Sequence, residues 1–373
     1  MRILHVVPYL GSMFGGTTTV VRKMSSQLAM RGHDVTVATT DYRWDGGADA
    51  DYQVLPFHAR ANLGLMIYTP DMRDWLLANA PDFDVMHLHT FRSYQNALAR
   101  RVAVASGVHY VLQAHGGVLP SFGKQGLKVA FDLVYGQRIL ADASRAIAVS
   151  AMEIGQYVKM GIPRDKIELL PNGIDLYNRQ ELPSGEVFRE RIGARGDERL
   201  VLFLGRVDRI KGLELLIGAF DQLARRLEGC RLVIAGPDFG YLSAAERKVA
   251  ESGLDDRVVF TGELRGEEKN EALRSADVCV VPSAFDIFSM TALESMACGT
   301  PLVLTDRCGI ADMVRDSALV VGYDSDALAN AMLRVLEDGS LRASLAKAGR
   351  EKVEREFGWP MIIDRLEDIY LTL

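Results

Sequence analysis

Short runs of branched apolar residues alternate with longer helix-like segments along almost the whole chain, and this alternation restricts the fold more than any other feature. The strand-like runs of the first half include RILHVVPYL, DVTVATT, DVMHLHT, HYVLQAH and RAIAVS, which are apolar on both faces. The segments between them, such as TTTVVRKMSSQLAMRG, have helical apolar spacing and end on glycine. Strands of this kind joined by helices predict an α/β fold with mostly parallel sheets, covered by helices on both sides.

The alternation stops once, in the polar and charged residues 176–198, and restarts at RLVLFLG. Because 373 residues are too many for one ordinary core, we predict two Rossmann-like units in tandem. Their bounds are 1–175 and 199–356, with a linker of 176–198 between them and a terminal helix in 357–373. Two such sheets that face each other would form a cleft, where ligands usually bind.

Composition and charge disfavour several classes of protein. The net charge is −6 and no long basic block is present, which argues against nucleic acid as a partner. No apolar run approaches the roughly 18 residues of a membrane span, and MRILHVVPYLG is more typical of a buried first strand than of a signal peptide. The four cysteines form no C-x-x-C pair, so we expect small buried side chains in a reducing, cytoplasmic compartment.

Gly15 and Gly16 lie at the end of the first strand-like run, and in open parallel sheets ligands bind at the carboxyl ends of strands. A glycine pair before a helix allows an anionic group to approach the backbone, although a flexible turn explains it equally well. The spacing does not match the G-x-G-x-x-G pattern of dinucleotide-binding proteins, which disfavours a dehydrogenase.

Three histidines are candidates for chemistry. His87 and His89 alternate along one strand and share a face, so a metal pair is an alternative, but no nearby cysteine or carboxylate completes a ligand set. Buried, hydrogen-bonded histidines are the favoured interpretation of this pair. His115 differs, because it ends the run YVLQAH and precedes GGVLP, where a strand delivers a side chain to the edge of its sheet. For His115, a functional role and a purely structural role in packing are equally supported.

The second half contains two strand-to-helix corners with charged residues. Arg206 and Lys211 follow LFLG and suit a diphosphate, because arginine offers a bidentate fork and lysine a mobile point charge. A solvated loop pair is the alternative. In FDIFSMTALESMACGTPLV, Asp286 and Glu294 stand on either side of the second corner. Three D-x-D triplets also occur, at 49–51, 82–84 and 324–326. None has a companion ligand at a strand end, so no metal is predicted.

The order and spacing of these segments resemble those of the retaining glycosyltransferases of family 4. The matching segments span nearly the whole chain: GGTTTVVRKMSSQLAMRGHDVTVATT, DVMHLHT, AHGG, LLPNGID, LGRVDRIKGLELLIGAF, RLVIAGPDFGYL, RVVFTGEL, ADVCVVPS, FDIFSMTALESMACGTPLV and REFGWPMIIDRLEDIY. The resemblance implies the GT-B architecture, in which two Rossmann-like domains face a central cleft and a C-terminal helix crosses back to the first domain. Phe357 and Trp359 would be packing anchors of that helix.

The resemblance also implies an activity, the transfer of a sugar of the hexose type from a UDP-, GDP- or ADP-linked donor to an acceptor. The anomeric configuration would be retained, and no essential metal or other cofactor would be needed. Residues 1–175 would form the acceptor side and residues 199–356 the donor side. The acceptor would be a glycan, a lipid-linked glycan or a small molecule, as in cell-surface polysaccharide biosynthesis.

Individual residues of this chain match positions of the family's motifs. Glu294 would hold the donor ribose, Asp286 would contact the donor sugar, and His115 would lie near the transferred sugar. The donor-binding residues that the resemblance implies are Gly15, Gly16, Arg206, Lys211, Leu264, Asp286, Phe288, Ser289, Met290, Thr291 and Glu294. Those that it implies for catalysis are His115, Asp286, Arg206 and Lys211. The backbone around Glu263 and Leu264 would meet the nucleobase.

Two residues depart from the family pattern. The first acid of the motif is usually glutamate and here is Asp286, and Ser289 stands where glycine is usual. These departures leave open a catalytically weakened sugar-nucleotide-binding protein. A GT-B epimerase or phosphorylase is a further alternative, although no anchor for a pyridoxal cofactor is evident.

The segment SFGKQGLKVAFDLVYGQRILADASR places Lys124, Lys128, Arg138 and Arg145 among apolar residues. A helix of this composition could rest on a membrane surface that carries a lipid-linked glycan. A solvated helix of the domain is the favoured interpretation, because this pattern is more common there.

Overall fold

The computed structural model describes residues 1–46, 51–62, 66–119, 125–176 and 184–373. They form two compact units, one of Met1–Gly173 with Trp359–Leu373 and one of Ile174–Gly358. Each unit contains a parallel sheet with helices, which confirms the predicted α/β class.

The first unit is built on a parallel sheet. Its strands are β1 (Arg2–Val6), β2 (Asp34–Thr40), β3 (Gln53–Phe57), β4 (Ala61–Asn62), β5 (Ile67–Tyr68), β6 (Val85–His89), β7 (Tyr110–Gln113), β8 (Arg145–Ala148) and β9 (Ile167–Leu169). Seven of them form one sheet in the order β3-β2-β1-β6-β7-β8-β9, while β4 and β5 form a separate antiparallel pair. Strands β1, β2 and β6 are buried almost throughout, as strands covered on both faces must be.

Helices follow the strands of this sheet. They are α1 (Gly16–Met30), α2 (Pro70–Asn79), α3 (Tyr94–Ser106), α4 (Gln125–Phe131), α5 (Gln137–Asp142) and α6 (Ala151–Lys159). A π-helical segment, Asp132–Gly136, joins α4 to α5. Helices α2, α3 and α5 share one core with the sheet, through side chains such as Leu76, Leu98 and Ile139.

The second unit repeats the architecture. Its strands are β10 (Arg199–Leu204), β11 (Cys230–Ala235), β12 (Val258–Gly262), β13 (Val278–Val281), β14 (Leu302–Thr305) and β15 (Leu319–Val321), in the order β12-β11-β10-β13-β14-β15. Its helices are α7 (Glu186–Arg191), α8 (Leu213–Ala224), α9 (Leu242–Glu251), α10 (Glu267–Ser275), α11 (Met290–Ala297), α12 (Ser325–Glu337) and α13 (Gly339–Glu356). Helix α8 begins at Leu213, the residue from which its apolar pattern starts.

The strand order reverses once in each sheet. In the first unit β1 lies between β2 and β6, and in the second unit β10 lies between β11 and β13. In open α/β sheets the loops that leave two such neighbouring strands diverge to opposite faces and leave a crevice at their carboxyl ends. In the second unit the loops at this position contain Arg206, Lys211 and Asp286.

Part of the predicted linker belongs to the second unit. Helix α7 falls inside residues 176–198, and its Phe188 is buried in the core that contains Leu202, Leu264 and Leu273. Residues 177–183 of the same prediction lie outside the described residues.

The last helix, α14 (Trp359–Leu371), belongs to the first unit. Trp359 lies against Gly173, where a Cβ would come within 2.5 Å of the indole ring, so only glycine fits this contact. Arg31 bonds both Asp364 and Glu367, at 2.5 and 2.8 Å, which ties the C-terminal end of α1 to α14. Phe357, the other predicted anchor, is buried in the second unit.

Candidate active site

Two loops meet at the carboxyl ends of β10 and β13 in the second unit. Gly212 ends the first loop with φ of 75°, and a Cβ there would stand 1.8 Å from the carbonyl oxygen of Pro282. The amide of Ala284 donates a hydrogen bond to the carbonyl of Ile210 at 2.9 Å. Glycine is therefore required at 212, because it lets the loop before α8 come into contact with the loop before α11.

Lys211 and Asp286 form an ion pair where these loops meet. Their Nζ and Oδ2 atoms are 2.6 Å apart, and the two side chains are only 19% and 12% exposed. The backbone of Asp286 is held on both sides, since its amide donates to Arg307 and its carbonyl accepts from Gly309 at 2.7 Å. The structure thus brings together two predicted site residues that are 75 positions apart.

Helix α11 begins at the same place. The hydroxyl of Ser289 accepts a hydrogen bond from the amide of Ala292 at 3.3 Å, which makes Ser289 the N-cap. Thr291 donates through its hydroxyl to the carbonyl of Leu204 at 2.9 Å, so the first turn of α11 is fixed against the last residue of β10. The positive end of the helix dipole thus lies at the crevice and favours an anionic group.

Glu294 lies about one turn further along α11 and has a lysine of its own. Lys269, from the first turn of α10, places its Nζ 2.6 Å from Oε1 of Glu294. Lys269 was not predicted from the sequence. Its position just after a strand end, in the segment GEEKN that follows β12, was the available signal. The two acids of the corner therefore lie in two separate ion pairs, Lys211–Asp286 and Lys269–Glu294.

The remaining predicted donor residues of this unit differ in exposure. Arg206 is exposed and its guanidinium lies 4.9 Å from the centre of the Phe239 ring. Phe288 and Met290 are half-buried. The side chain of Leu264 is buried in the hydrophobic core with Phe188 and Leu204, so only its backbone is suited to the contact with a base that the resemblance implies.

In the first unit, Gly15 and Gly16 lie at the N terminus of α1 and both are exposed. Gly15 has φ of 74°, and the space where a Cβ would stand is open. Its carbonyl accepts a hydrogen bond from the hydroxyl of Thr18 at 2.8 Å. The conformation of Gly15, rather than crowding, accounts for the glycine at this position.

His115 follows β7 in a left-handed conformation, with φ of 51°, which is uncommon outside glycine. The next residue is fixed by Glu153, whose carboxylate accepts hydrogen bonds from the amides of Gly116 at 2.6 Å and Val149 at 2.8 Å. Burial raises the pKa of Glu153 to about 7, although these two amides act in the opposite direction. Strained residues of this kind cluster at functional sites, which supports a role for His115.

Arg92 fixes the rest of the loop. It pairs with Asp132 at 2.5 Å and donates to the carbonyls of Gly117 and Val118, and both charged side chains are almost fully buried. Arg92 and Glu153 were not predicted from the sequence. For Glu153 a signal was present, because S-x-x-E at 150–153 is the spacing of a helix-capping box.

His5 joins His87 and His89 in a fully buried cluster beside His115. Each of the first three offers a ring nitrogen, and these atoms lie within 4.8 Å of one another. Nε2 of His89 lies 2.8 Å from Nδ1 of His5, and Nδ1 of His89 lies 3.1 Å from Nε2 of His115. Nδ1 of His87 lies 2.6 Å from the hydroxyl of Tyr370. The expected hydrogen-bonded histidines are present, but Nε2 of His5 has no hydrogen-bond partner among the described residues.

Other sequence features have local structural roles. Asp84 accepts from the amide of Arg2 at 2.7 Å, and Asp324 is the N-cap of α12. Asp49, of the remaining D-x-D triplet, lies outside the described residues, as does Lys124.

All four cysteines are free and buried. Among the described residues, no helix has the length and apolar character needed to cross a bilayer.

Two family profiles match the chain. The family described as Glycosyl transferases group 1 matches residues 185–352, and Glycosyl transferase 4-like domain matches residues 15–173. The D-inositol 3-phosphate glycosyltransferase of Frankia alni is 31% identical over 377 residues, covering 92% of this chain and 91% of that protein. The phosphatidyl-myo-inositol mannosyltransferase of Mycobacterium leprae is 27% identical over 387 residues, covering 100% and 97% of the two chains.

Solved structures share the fold. HepE from Anabaena, in complex with UDP and glucose, has a TM-score of 0.81 at 19% identity, with 100% of both chains covered. Sucrose-phosphate synthase from Thermosynechococcus elongatus has a TM-score of 0.80 at 24% identity, covering 100% and 99% of the two chains. These similarities confirm the predicted GT-B fold. Together with the matched profiles and the full-length relatives, they lead to one conclusion: the chain belongs to the group 1 glycosyltransferases, with a family 4-like domain in its first half.

Proposed function

We propose that the protein transfers a hexose from a nucleotide-diphosphate donor with retention of anomeric configuration, and that it needs no metal. The observation that carries the proposal is the corner of the second unit, where Lys211, Asp286 and the N terminus of α11 lie together. Cations and an oriented helix terminus suit the phosphates of a nucleotide sugar. The structure of HepE with UDP and glucose supports this choice of ligand.

The chemistry follows from where charge develops. When the bond between the anomeric carbon and the diphosphate oxygen breaks, negative charge gathers on the leaving diphosphate. In this proposal, Lys211, Arg206 and the α11 terminus stabilise that charge, the task that a divalent cation performs in other transferases. The acceptor oxygen bonds to the anomeric carbon on the face that the diphosphate leaves, and the acceptor proton passes to the diphosphate. No double-displacement carboxylate is required in this proposal.

Glu294 is proposed to accept hydrogen bonds from the ribose hydroxyls of the donor. It is half-buried, and Lys269 holds its carboxylate in one place. Asp286 is proposed to contact the sugar. A bound diphosphate would share Lys211 with Asp286, so donor binding and the placement of Asp286 are coupled.

The acceptor is proposed from the relatives. Two of them are named for D-inositol 3-phosphate and for phosphatidyl-myo-inositol, which makes phosphorylated polyols the first acceptors to test, in free and lipid-linked form.

Membrane contact is proposed for the segment from α4 to α5. Apolar side chains stand exposed on it, namely Leu127, Val129, Leu133, Val134 and Tyr135. Leu133 is 78% exposed, which is unusual for a solvated helix and favours a lipid surface over the solvated alternative. Co-sedimentation with anionic liposomes tests it, and a matched Leu133→Ser, Val134→Ser variant should sediment less. Equal sedimentation of the two proteins would contradict the proposal.

The proposed activity is tested with a panel of sugar nucleotides. Thermal-shift measurements with UDP, GDP and ADP identify the base, and release of nucleotide is then followed with and without the acceptor panel. Acceptor-dependent release supports transfer, and the configuration of the product decides retention. Addition of a chelator should leave the rate unchanged. Donor binding without transfer or hydrolysis under any condition would instead support a sugar-nucleotide-binding protein, the alternative that Asp286 and Ser289 suggested.

A further inference from the structure

The histidine cluster of the first unit forms a hydrogen-bonded chain that leads from the edge of the sheet into its interior. His5 pairs in register with His87 on the adjacent strand β6, and His89 lies two residues further on the same face. From His115 the chain passes to His89 and then to His5, with nitrogen–nitrogen distances of 3.1 and 2.8 Å.

All members of this chain are neutral near neutral pH. Burial lowers the pKa of His5 and of His115 to about 3, and it lowers the pKa of His89 well below its usual value. Each ring therefore carries a single proton, on one of its two nitrogens.

One proton must lie in each of the two hydrogen bonds, so only two arrangements exist. In the first, His115 donates from Nε2 to His89, His89 donates from Nε2 to His5, and the proton of His5 is on Nε2. In the second, His5 donates from Nδ1 to His89, His89 donates from Nδ1 to His115, and Nε2 of His5 carries only a lone pair.

The environment of His5 distinguishes the two arrangements. Its Nε2 is buried and has no hydrogen-bond partner among the described residues. Orphaned N–H donors are rarer in protein interiors than acceptors with unused lone pairs. The second arrangement is therefore favoured, because it leaves a lone pair rather than an N–H group without a partner.

We infer that His5 and His89 hold His115 in the tautomer whose proton is on Nδ1, with Nε2 accepting a hydrogen bond from His89. His115 then offers an N–H donor through Nδ1, and its lone pair is occupied within the sheet. His5 and His89 are positioning residues for His115. The consequence for catalysis rests on the proposed function: His115 donates a hydrogen bond to an oxygen of the substrate and does not act as a general base.

Histidine-selective ¹⁵N labelling of the full chain tests the tautomer directly. Long-range ¹H–¹⁵N correlation spectra distinguish protonated from unprotonated ring nitrogens, and loss of signals in a His115→Gln variant assigns that ring. The expected result is a protonated Nδ1 and an unprotonated Nε2 for His115, with the same pattern for His5. A protonated Nε2 on His115 would overturn the inference, as would a stoichiometric metal on the cluster in elemental analysis.

A matched pair of variants tests the direction of control. His5→Asn keeps a donor near the position of Nδ1 and should preserve the His115 tautomer. His5→Asp offers only an acceptor there, draws the proton of His89 to Nε2 and should reverse the tautomer of His115. We expect kcat of His5→Asp to fall on the order of 100-fold below that of His5→Asn, with nucleotide affinity the same in both.

The outcomes separate the inference from the proposed function. A reversed tautomer in His5→Asp supports the inference even if kcat does not change, and in that case it is the catalytic role of His115 that fails. An unchanged tautomer in a folded His5→Asp variant overturns the inference. If this variant does not fold, the spectra of the unmodified protein and of His5→Asn decide.

Discussion

Asp286 and Glu294 stand on either side of one strand-to-helix corner in the sequence, and the structure gives each of them its own lysine at 2.6 Å. Each carboxylate accepts a hydrogen bond from its own lysine and has further lone pairs that can accept hydrogen bonds from hydroxyl groups. At the scale of single residues, the corner is therefore suited to holding a polyhydroxylated anion, and proton transfer between its two acids is not expected.

The roles of Glu294 and His115 are separable by mutation. Glu294→Ala should raise the Kd for the nucleotide roughly 10- to 100-fold, because hydrogen bonds to a charged group contribute about 1.5–3 kcal/mol. His115→Ala should leave that Kd nearly unchanged and lower kcat. Calorimetry with the nucleotide and steady-state kinetics with the donor measure the two effects, and the reverse ranking would contradict both assigned roles.

At the scale of elements, the N terminus of α11 shows how serine fits the position where the resemblance leads us to expect glycine. Ser289 caps the helix through its side chain, and glycine is also an accepted N-cap residue. The substitution therefore preserves the start of the helix and does not by itself indicate a weakened site.

The cap makes a quantitative prediction. Ser289→Ala should lower the free energy of unfolding of the protein by about 1 kcal/mol, whereas Ser289→Gly should lower it by only a few tenths. Urea denaturation of the three proteins measures the difference. Equal losses in the two variants would mean that the serine hydroxyl does not cap α11.

The loop after β7 depends on a carboxylate from α6. Glu153→Gln replaces one acceptor oxygen with an NH₂ group that faces the amide of Gly116 or Val149, so we expect a loss of about 1–3 kcal/mol in the free energy of unfolding. Glu246→Gln, on the exposed face of α9, is the matched control and should cost little.

The stability that Glu153→Gln loses relative to the natural protein should also depend on pH. The pKa of Glu153 is raised to about 7 from 4.5, so the folded state holds this proton more tightly than the unfolded state. The stabilisation that this proton gives the folded state is complete below about pH 4.5. It is lost as the pH rises through 7, which lowers the free energy of unfolding by about 3 kcal/mol in all. The advantage of the natural protein over Glu153→Gln should shrink across this range. A constant difference would show that Glu153 does not titrate there.

At the scale of the whole molecule, three buried histidines and the half-buried His115 predict sensitivity to acid. Burial lowers the pKa values of His5, His87, His89 and His115 in the folded state, while the unfolded chain titrates near 6.5. Their contribution to stability is present above about pH 6.5 and is lost as the pH falls below that value, and for His5 and His115 the loss continues to about pH 3. Within this range, each histidine adds about 1.4 kcal/mol per pH unit to the slope of the free energy of unfolding against pH.

His5→Asn removes one of these groups, so the free energy of unfolding of this variant should fall less steeply between roughly pH 6 and pH 4. The slope against pH should be smaller by about 1.4 kcal/mol per pH unit, the contribution of one proton. Urea denaturation at several pH values measures both slopes. Parallel curves for the natural protein and His5→Asn would contradict the prediction.

The fold could be predicted from the sequence because the strands are apolar on both faces and the helices begin just after a glycine or a capping residue. Helix α8, for example, begins at Leu213, directly after Gly212. The corner with Asp286 and Glu294 was equally visible, since strand, cap and helix follow one another there. Lys269, Glu153 and His5 were not predicted as partners, because their contacts span 25, 37 and 84 positions. A local signal marks Lys269 and Glu153 as residues to consider, but the residues that they contact depend on which strands become neighbours.

The return of α14 to the first unit has a consequence for synthesis. Residues 359–373 are translated after the entire second unit, yet they supply Trp359 against Gly173 and Tyr370 beside His87. The first unit therefore emerges from the ribosome early and waits, with part of its interior uncovered, until the final helix arrives. A chain that is interrupted before residue 359 would contain a complete second unit and an incomplete first unit, and chaperones and proteases would recognise the exposed face of the first unit.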